Sequence, residues 1–513
     1  MHHVEGVSRY QTKLFNLDEH VNKEHVVRII DRFVDMLDLK GLGFEKVTPA
    51  DVGRPPYNPR YLLKLYLYGY ESGVRSSRKL ERLTNESIPA MWLMDGLTPD
   101  FKTIADFRKD NIEAITSVFY EYGSFLDSAG GFGKKVVAID GTKIRACNNK
   151  KNNYNRKKIG KRLEHNRQRV EEYMEALDKA DNWEEYDAVS NKLDASLAQL
   201  KKYEGYLDRL DKAGEDELSV VDHDARLMKN NCNGLDVAYN AQASVDEKNH
   251  LVTEFDISQN PTDHDQLASM MEKTQEVLRN KDIIGLADKG YYNGEQLEKC
   301  EKAEIVTIVS KQKSPGDKGK DKSFHIDKFV YDPDKDAYTC PLGNVLATRS
   351  SRKAKQRKFF NKDACSNCPS KGRCLTGKLK FRMIVRGPHS DAYDRADKRF
   401  RENIELYKKR QQTIEHVFGT VKRTMNGGYF LLCTKEKAKC ETALLLLGYN
   451  IKRSINALGF WELMAKLDEY EKKTGNQAAS MRSIFCFFIP ALFHIVALLQ
   501  KYPKTNFGLC ANT

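Results

Sequence analysis

Long apolar runs are scarce in this chain of 513 residues. The longest, Ile484–Leu499 (IFCFFIPALFHIVALL), falls short of the ~18 residues that suggest a spanning helix, and Pro490 and His494 interrupt it. A buried or partner-facing helix is expected there, and no membrane segment. The start, MHHVEGVSRY, lacks the apolar core of a signal peptide, which predicts a cytoplasmic protein. The eleven cysteines are an odd number, so they cannot all pair with one another, and a reduced setting is expected. Acidic residues are also short: 72 Asp and Glu face 85 Lys and Arg, a net charge of +13. That excess predicts a polyanionic partner.

Where the positive charge lies says more than its sum. Asn148–Arg162 (NNKKNNYNRKKIGKR) is almost wholly basic and polar, and its Lys157, Lys158, Lys161 and Arg162 are candidates for phosphate contact. A second basic run covers Ser350–Lys362. Two more, KKRQQ and VKR, flank Glu415 and supply Arg410, Lys422 and Arg423.

Hydrophobic patterning divides the chain. From Asp31 to about Leu126 apolar residues recur at helical spacing. Pro55, Pro56 and Pro59 precede a helix over RYLLKLYLYGYESGVRSSRKLERL, and Asp100 is placed to cap another. Tyr61, Leu62, Leu65, Tyr68 and Leu80 read as core, leaving Arg75, Arg78, Lys79 and Arg82 to face DNA or solvent. Residues 150–218 read as a charged helical hairpin turning at Asp181-Asn182, with leucines at heptad-like spacing. A β-hairpin over GLDVAYNAQASVDEKNHLVTEFDISQN follows, then a helix begun near Asp263. IIGLA and EIVTIVS read as short strands, and helices are expected over Asp391–Asn426 and KAKCETALLLLGYNIKRSINAL.

Three acids sit at informative places. Asp140 ends the apolar run of VVAIDGTKIRA, Asp288 ends that of IIGLADKGYYNG, and Glu415 lies in the basic helical stretch YKKRQQTIEHVFGTVKR. An Asp at the end of a strand is commonly a turn residue, and a lone helical Glu commonly pairs with Lys or Arg. As an ordered set, brought together from distant parts of the chain, they would supply a metal site. Mg²⁺ prefers carboxylate oxygens and keeps positions open for water and phosphate. Two such ions, about 4 Å apart, activate a nucleophile and stabilise the leaving oxygen of a phosphodiester.

AIDGTKI, GLADKGYYNGE and TIEHVFGTVKR, in that order, resemble the DDE transposases of bacterial insertion sequences. The resemblance runs from about Arg54 to about Leu458. It implies an α/β RNase H-like catalytic core, a mixed sheet flanked by helices. Asp140, Asp288 and Glu415 would be the catalytic acids, holding two Mg²⁺ or Mn²⁺ ions. Part of the family carries Tyr-x2-Arg-x3-Glu-x6-Lys around the Glu. Here Glu415 and Lys422 keep the six-residue gap, while Tyr407 and Arg410 are displaced by one. The implied organisation is an N-terminal all-α DNA-binding domain (1–130), the catalytic domain (131–460) and a tail (461–513). The catalytic domain would be interrupted by the helical hairpin (150–218) and a Cys-rich insert (311–388). In that insert Cys340, Cys365, Cys368 and Cys374 have spacing compatible with a structural Zn²⁺ ribbon.

The implied activity is cleavage at the element's terminal inverted repeats followed by strand transfer into target DNA, by a homo-oligomer. Water and then a DNA 3′-hydroxyl attack, so no Ser or Tyr nucleophile is expected. The alternatives are a metal-dependent nuclease on the same core and an inactive, transposase-derived DNA-binding protein. Among other residues, Asp222-His223-Asp224 and Arg226 read as a loop anchor or support for the site, and Tyr239 and Gln242 as supports near Asp140. His416 reads as a phosphate contact or packing residue, and Tyr291 and Tyr292 as base-stacking or packing residues.

Overall fold

The protein is described here by a computed structural model covering residues 16–49, 55–230, 234–311, 317, 319–348, 355–376 and 379–477. The apolar run Ile484–Leu499 and the residues Ser350–Ala354 of the second basic run lie outside the described residues. No described helix is long and apolar enough to cross a membrane.

The N-terminal part is helical because its apolar residues recur at helical spacing and its helix starts carry caps. The Asn58 side chain accepts the Arg60 N–H at the start of Pro59–Glu71, and Asp100 accepts those of Lys102 and Thr103 at the start of Phe101–Asp110. Leu62, Leu65, Tyr66 and Tyr70 are buried, as is Leu80 of Ser77–Glu86. Arg75, expected to face outward, is buried too. It pairs with buried Glu441 at 3.4 Å and lies over the Tyr429 ring.

Next comes a mixed sheet. Strand β1 spans Val136–Arg145. Two short strands, β2 (Asn153–Asn155) and β3 (Glu217–Ser219), pair at the base of a helical hairpin. The main sheet continues with β4 (Arg226–Lys229), β5 (Leu235–Asp246), β6 (Val252–Ser258), β7 (Ile284–Ala287) and β8 (Thr307–Val309). β5 runs antiparallel to β1, β4 and β6, whereas β7 is parallel to β1 and to β8. The order across the sheet is therefore β6–β5–β1–β7–β8, with β4 beside the start of β5.

One face of this sheet contributes Val137, Ile139, Ala243 and Phe255 to a core shared with the N-terminal helices. The helices Leu267–Leu278 and Lys435–Leu458 belong to the same core. On the other face Val136, Leu286 and Ile308 meet Phe400, Leu406 and Tyr407. The sheet is thus covered on both sides, as strands this apolar require.

The hairpin helices are Arg156–Asp178 and Trp183–Ala213, with Asn182 capping the second. Their seam closes only near the base, around Ile159, Leu163, Tyr203, Leu210 and Leu218. Met174 and Leu197 are exposed, because nothing described packs against the outer half of the pair.

The Cys-rich segment forms a separate antiparallel sheet: β9 (Val330–Asp332), β10 (Ala337–Thr339), β11 (Val345–Thr348), β12 (Arg357–Phe360) and β13 (Met383–Arg386), paired in chain order.

Three local expectations change. The helix expected over Asp391–Asn426 is two, Ser390–Glu402 and Ile404–Gly419, broken at Asn403 and followed by a π-helical turn over Thr420–Thr424. The helix expected near Asp263 starts at Leu267, which frees Asp263 for another role. Against the expected reduced setting, Cys147 and Cys433 form a disulfide; the chain segments beside them pair where Phe430 N–H donates to Arg145 O at 2.7 Å.

Candidate active site

The parallel register of β1 and β7 builds the site. Ile139 pairs with Ala287, so one step further along each chain stand Asp140 and Asp288. β7 ends there while β1 runs on to Arg145, leaving a notch beside β1 between the end of β7 and the Arg145–Tyr429 bridge. Asp288 turns the chain: its Oδ1 accepts the Gly290 N–H at 2.6 Å. Asp140 accepts the Gly141 N–H on Oδ1 at 2.8 Å, and its Oδ2 meets Arg410 Nη1 at 3.3 Å. Burial raises the Asp140 carboxyl to about 6; Arg410 opposes the rise, and the negative charges of Asp288 and Asp263 add to it. Burial works against the Arg410 charge, but Asp140, Tyr407 and Asp288 together outweigh it and hold it above its ordinary value.

Arg410 reaches β1 because the Ile404–Gly419 helix lies across the sheet with Ile414 and Val417 buried. Lys422, just beyond that helix, donates to Lys143 O at 2.9 Å, and burial beside Lys143 lowers its basicity. Arg423 is exposed. Glu415 is exposed on the same helix, and no hydrogen bond or ion pair of the described residues involves it. The structure therefore sets Asp140, Asp288 and Arg410 together, while Glu415 is not in contact with them. No three of the described acids here have ligand oxygens all within 4.8 Å of one another.

Several residues near the site carried no role in the sequence reading. Asp263, in the loop after β6, accepts on Oδ1 from Asn240 Nδ2 at 2.6 Å, Gln242 Nε2 at 2.8 Å and Lys143 Nζ at 3.3 Å. Its sequence signal was that of a helix start in the polar loop between β6 and the Leu267–Leu278 helix. The nearby tyrosines are structural. Buried Tyr291 donates its hydroxyl to Gln242 Oε1, and half-buried Tyr292 donates to Asp397. Tyr239 donates to buried Asp222, which also accepts the Thr434 N–H, and Asp224 accepts the Lys435 N–H. Asp222 and Asp224 thus anchor the start of the Lys435–Leu458 helix, and Arg226 pairs with Glu215. His416 meets the Tyr449 hydroxyl at 3.1 Å.

On the hairpin, Lys157, Lys161 and Arg162 are exposed. Lys158 folds back onto the carbonyls of Lys151 and Asn153. In the five-stranded lobe Cys340, Cys365, Cys368 and Cys374 line one small apolar cavity with Phe329 and Leu346. Burial pushes the Cys374 thiol up to about 11, and the other three cysteines add to the shift. The Asn344 N–H points at Cys340 Sγ, 3.3 Å away. The four sulfurs are more loosely grouped than Cys147, Asp222 and Cys433, the described set whose ligand atoms all lie within 4.8 Å.

Comparison with known families gives two matches. Residues 15–110 match the Transposase domain (DUF772) family, and residues 339–455 match the Transposase DDE domain family. No curated protein and no solved structure matches the chain. The two matches define a polynucleotidyl transferase with endonuclease activity, a class that works with divalent metal ions. The two matches support a DDE transposase of an insertion sequence, and the nuclease and inactive-descendant alternatives are not favoured. Asp140 and Asp288 fall between the matched stretches, and Glu415 within the second.

Proposed function

We propose that Asp140, Asp288 and Glu415 form the catalytic centre of this transposase on an RNase H-like core and hold two Mg²⁺ or Mn²⁺ ions. The observation that carries this reading is the β1–β7 register, which puts two carboxylates side by side at the notch. The strand order β6–β5–β1–β7–β8, three antiparallel strands joined to two parallel ones, supports the core assignment. The donor set suits a hard cation: crowded carboxylates, one of them raised to about 6 by burial, gain from a positive charge beyond that of Arg410. The ions would polarise the scissile phosphate and activate the attacking oxygen. Among the described residues Glu415 has no hydrogen-bond or ion-pair partner, and it lies on a helix packed against β1.

The chain's own groups do the remainder. Water attacks the phosphodiester at an element end and frees a 3′-hydroxyl, which then attacks target DNA. Lys422 and Arg423 lie on the same stretch as Glu415 and contact the DNA backbone near the scissile bond. Arg410, which pairs with Asp140 in the chain alone, would contact phosphate near the scissile bond. Lys157, Lys161 and Arg162, with Lys158 in a lesser part, add backbone contacts farther out. Specific contacts with the terminal inverted repeats come from the N-terminal helices, and the active form is a homo-oligomer in the cytoplasm. A structural Zn²⁺ held by Cys340, Cys365, Cys368 and Cys374 organises the five-stranded lobe. All four ligands come from the chain, which closes that site to chemistry.

Asp140→Ala, Asp288→Ala and Glu415→Ala should each abolish cleavage of element-end DNA while leaving DNA binding intact, since each removes negative charge. A strand-cleavage assay beside a binding assay in the same Mg²⁺ buffer tests this. Normal cleavage by any one variant removes that residue from the centre.

A further inference from the structure

Asp263 has an arrangement that its place in a surface loop does not require. One oxygen is saturated: Oδ1 accepts from Asn240, Gln242 and Lys143. No described group donates to the other, Oδ2. A Cβ built on Gly290, in the turn that carries Asp288, would lie 3.6 Å from Oδ2, so this oxygen faces the Asp288 turn. Between Asp263 and Asp140 stands Gly141. A Cβ there would come within 2.5 Å of Asp263 Oδ1 and 3.0 Å of Asn240 Oδ1, and would strike Gln242 Nε2. Any other residue at position 141 would push the carboxylate and both amides away from β1.

Asn240 supplies the second, independent observation. It is fully buried, and its Oδ1 has no hydrogen-bond partner. An orphaned buried acceptor costs about 1–3 kcal/mol, so it calls for a donor or a cation absent from the bare chain. This oxygen borders the same space above Gly141.

We propose that Asp263 is a further carboxylate of the divalent-cation site, fixed by Asn240 and Gln242 across Gly141. Its free Oδ2 and the Asn240 Oδ1 accept hydrogen bonds from the cation's water ligands. The inference rests on Asp140 and Asp288 holding that cation. Asp263 is then a positioning residue: it orients the hydration shell, and with it the attacking water, without touching the reacting phosphate.

The test is titration of the full chain with Mn²⁺ alone, without DNA, alongside thermal melting in chelator. Wild type should bind and Asp140→Asn should not. Asp263→Asn should bind about 10- to 100-fold more weakly, the loss usual for a group that supports a metal from behind its ligands. Its melting temperature in chelator should match that of wild type, which a merely structural role would not allow. Asp263→Ala, which leaves no side-chain oxygen, should lose at least as much, and serves if the Asn variant folds poorly. Wild-type Mn²⁺ affinity in a folded Asp263 variant, with binding lost in Asp140→Asn, overturns the role of Asp263 and leaves the centre standing. Unchanged binding in Asp140→Asn overturns the centre itself, and this inference with it.

Discussion

The main sheet and the five-stranded lobe are both β-structure, yet they are stabilised in different ways. Val137, Ile139, Ala243, Val245 and Phe255 of the main sheet are fully buried, within a core that also takes in the N-terminal helices. The lobe centres on Phe329, Tyr338, Leu346, Phe359 and Ile384, and of these only Phe359 is fully buried. Its outward residues Val330, Val345, Met383 and Val385 are exposed. A core that small contributes little against the entropy of ordering the chain, so a cross-link or metal has to supply the difference. The four cysteines sit where such a link would act. The main sheet has apolar area to spare, and it can carry buried charge at its notch.

The sharpest way to break this contrast is to remove metal. Chelation, or Cys365→Ser, should release zinc and unfold the lobe, read as new protease cleavage between about residues 320 and 388 and loss of one zinc by elemental analysis. The main melting transition should stay in place. Protein prepared without chelator that contains no zinc, with the lobe protected, would mean that its small core suffices and the comparison is wrong.

A smaller effect sharpens the other side. Glu254 on β6 is buried, and its Oε1 accepts from the Tyr120 hydroxyl and the Phe255 N–H, both at 2.9 Å. Burial raises its carboxyl to about 7. A raised carboxyl stabilises the fold below its unfolded value, and that contribution fades as pH rises through about 7. Glu254→Gln should therefore stabilise the protein by about 1–3 kcal/mol near pH 8 and change little near pH 5. Equal melting temperatures at both pH values would show that the main core does not hold this group at a cost.

The smallest effect on stability is expected in the helical hairpin, which belongs to neither sheet. Neutralising Lys157, Lys161 and Arg162 should leave melting unchanged and make the dependence of DNA affinity on salt shallower, by about 0.9 in log–log slope per lost phosphate contact. Adding Lys158 should contribute less, because its ammonium is already engaged with two carbonyls. Specific and random DNA should weaken alike. Loss of specific binding alone, at an unchanged slope, would make the hairpin a reader of sequence.

Much of this was legible in one dimension, because the signals are local. The end of IIGLAD marks where a buried strand gives way to a turn, whereas Asp140 stands in the middle of β1, which runs on to Arg145. The Pro and Asp signals before the N-terminal helices act within a few residues, so they read directly. The break at Asn403 escaped the sequence reading because helical periodicity continues across it.

What the sequence by itself determined is the inventory: which acids follow apolar runs, which stretch is basic, and which cysteines lie close enough along the chain to share an ion. Only the tertiary structure decided which of these groups meet. Arg75 became a buried counter-ion for Glu441, 366 residues away, and Arg410 came to face Asp140 across 270 residues. Asp263, which read as the start of a helix, became the neighbour of Asp140 and Asp288 because Gly141 leaves room for it. Periodicity and capping act over one or two turns of chain. Charge pairing and close approach depend on distance in space, which no run of neighbouring residues encodes.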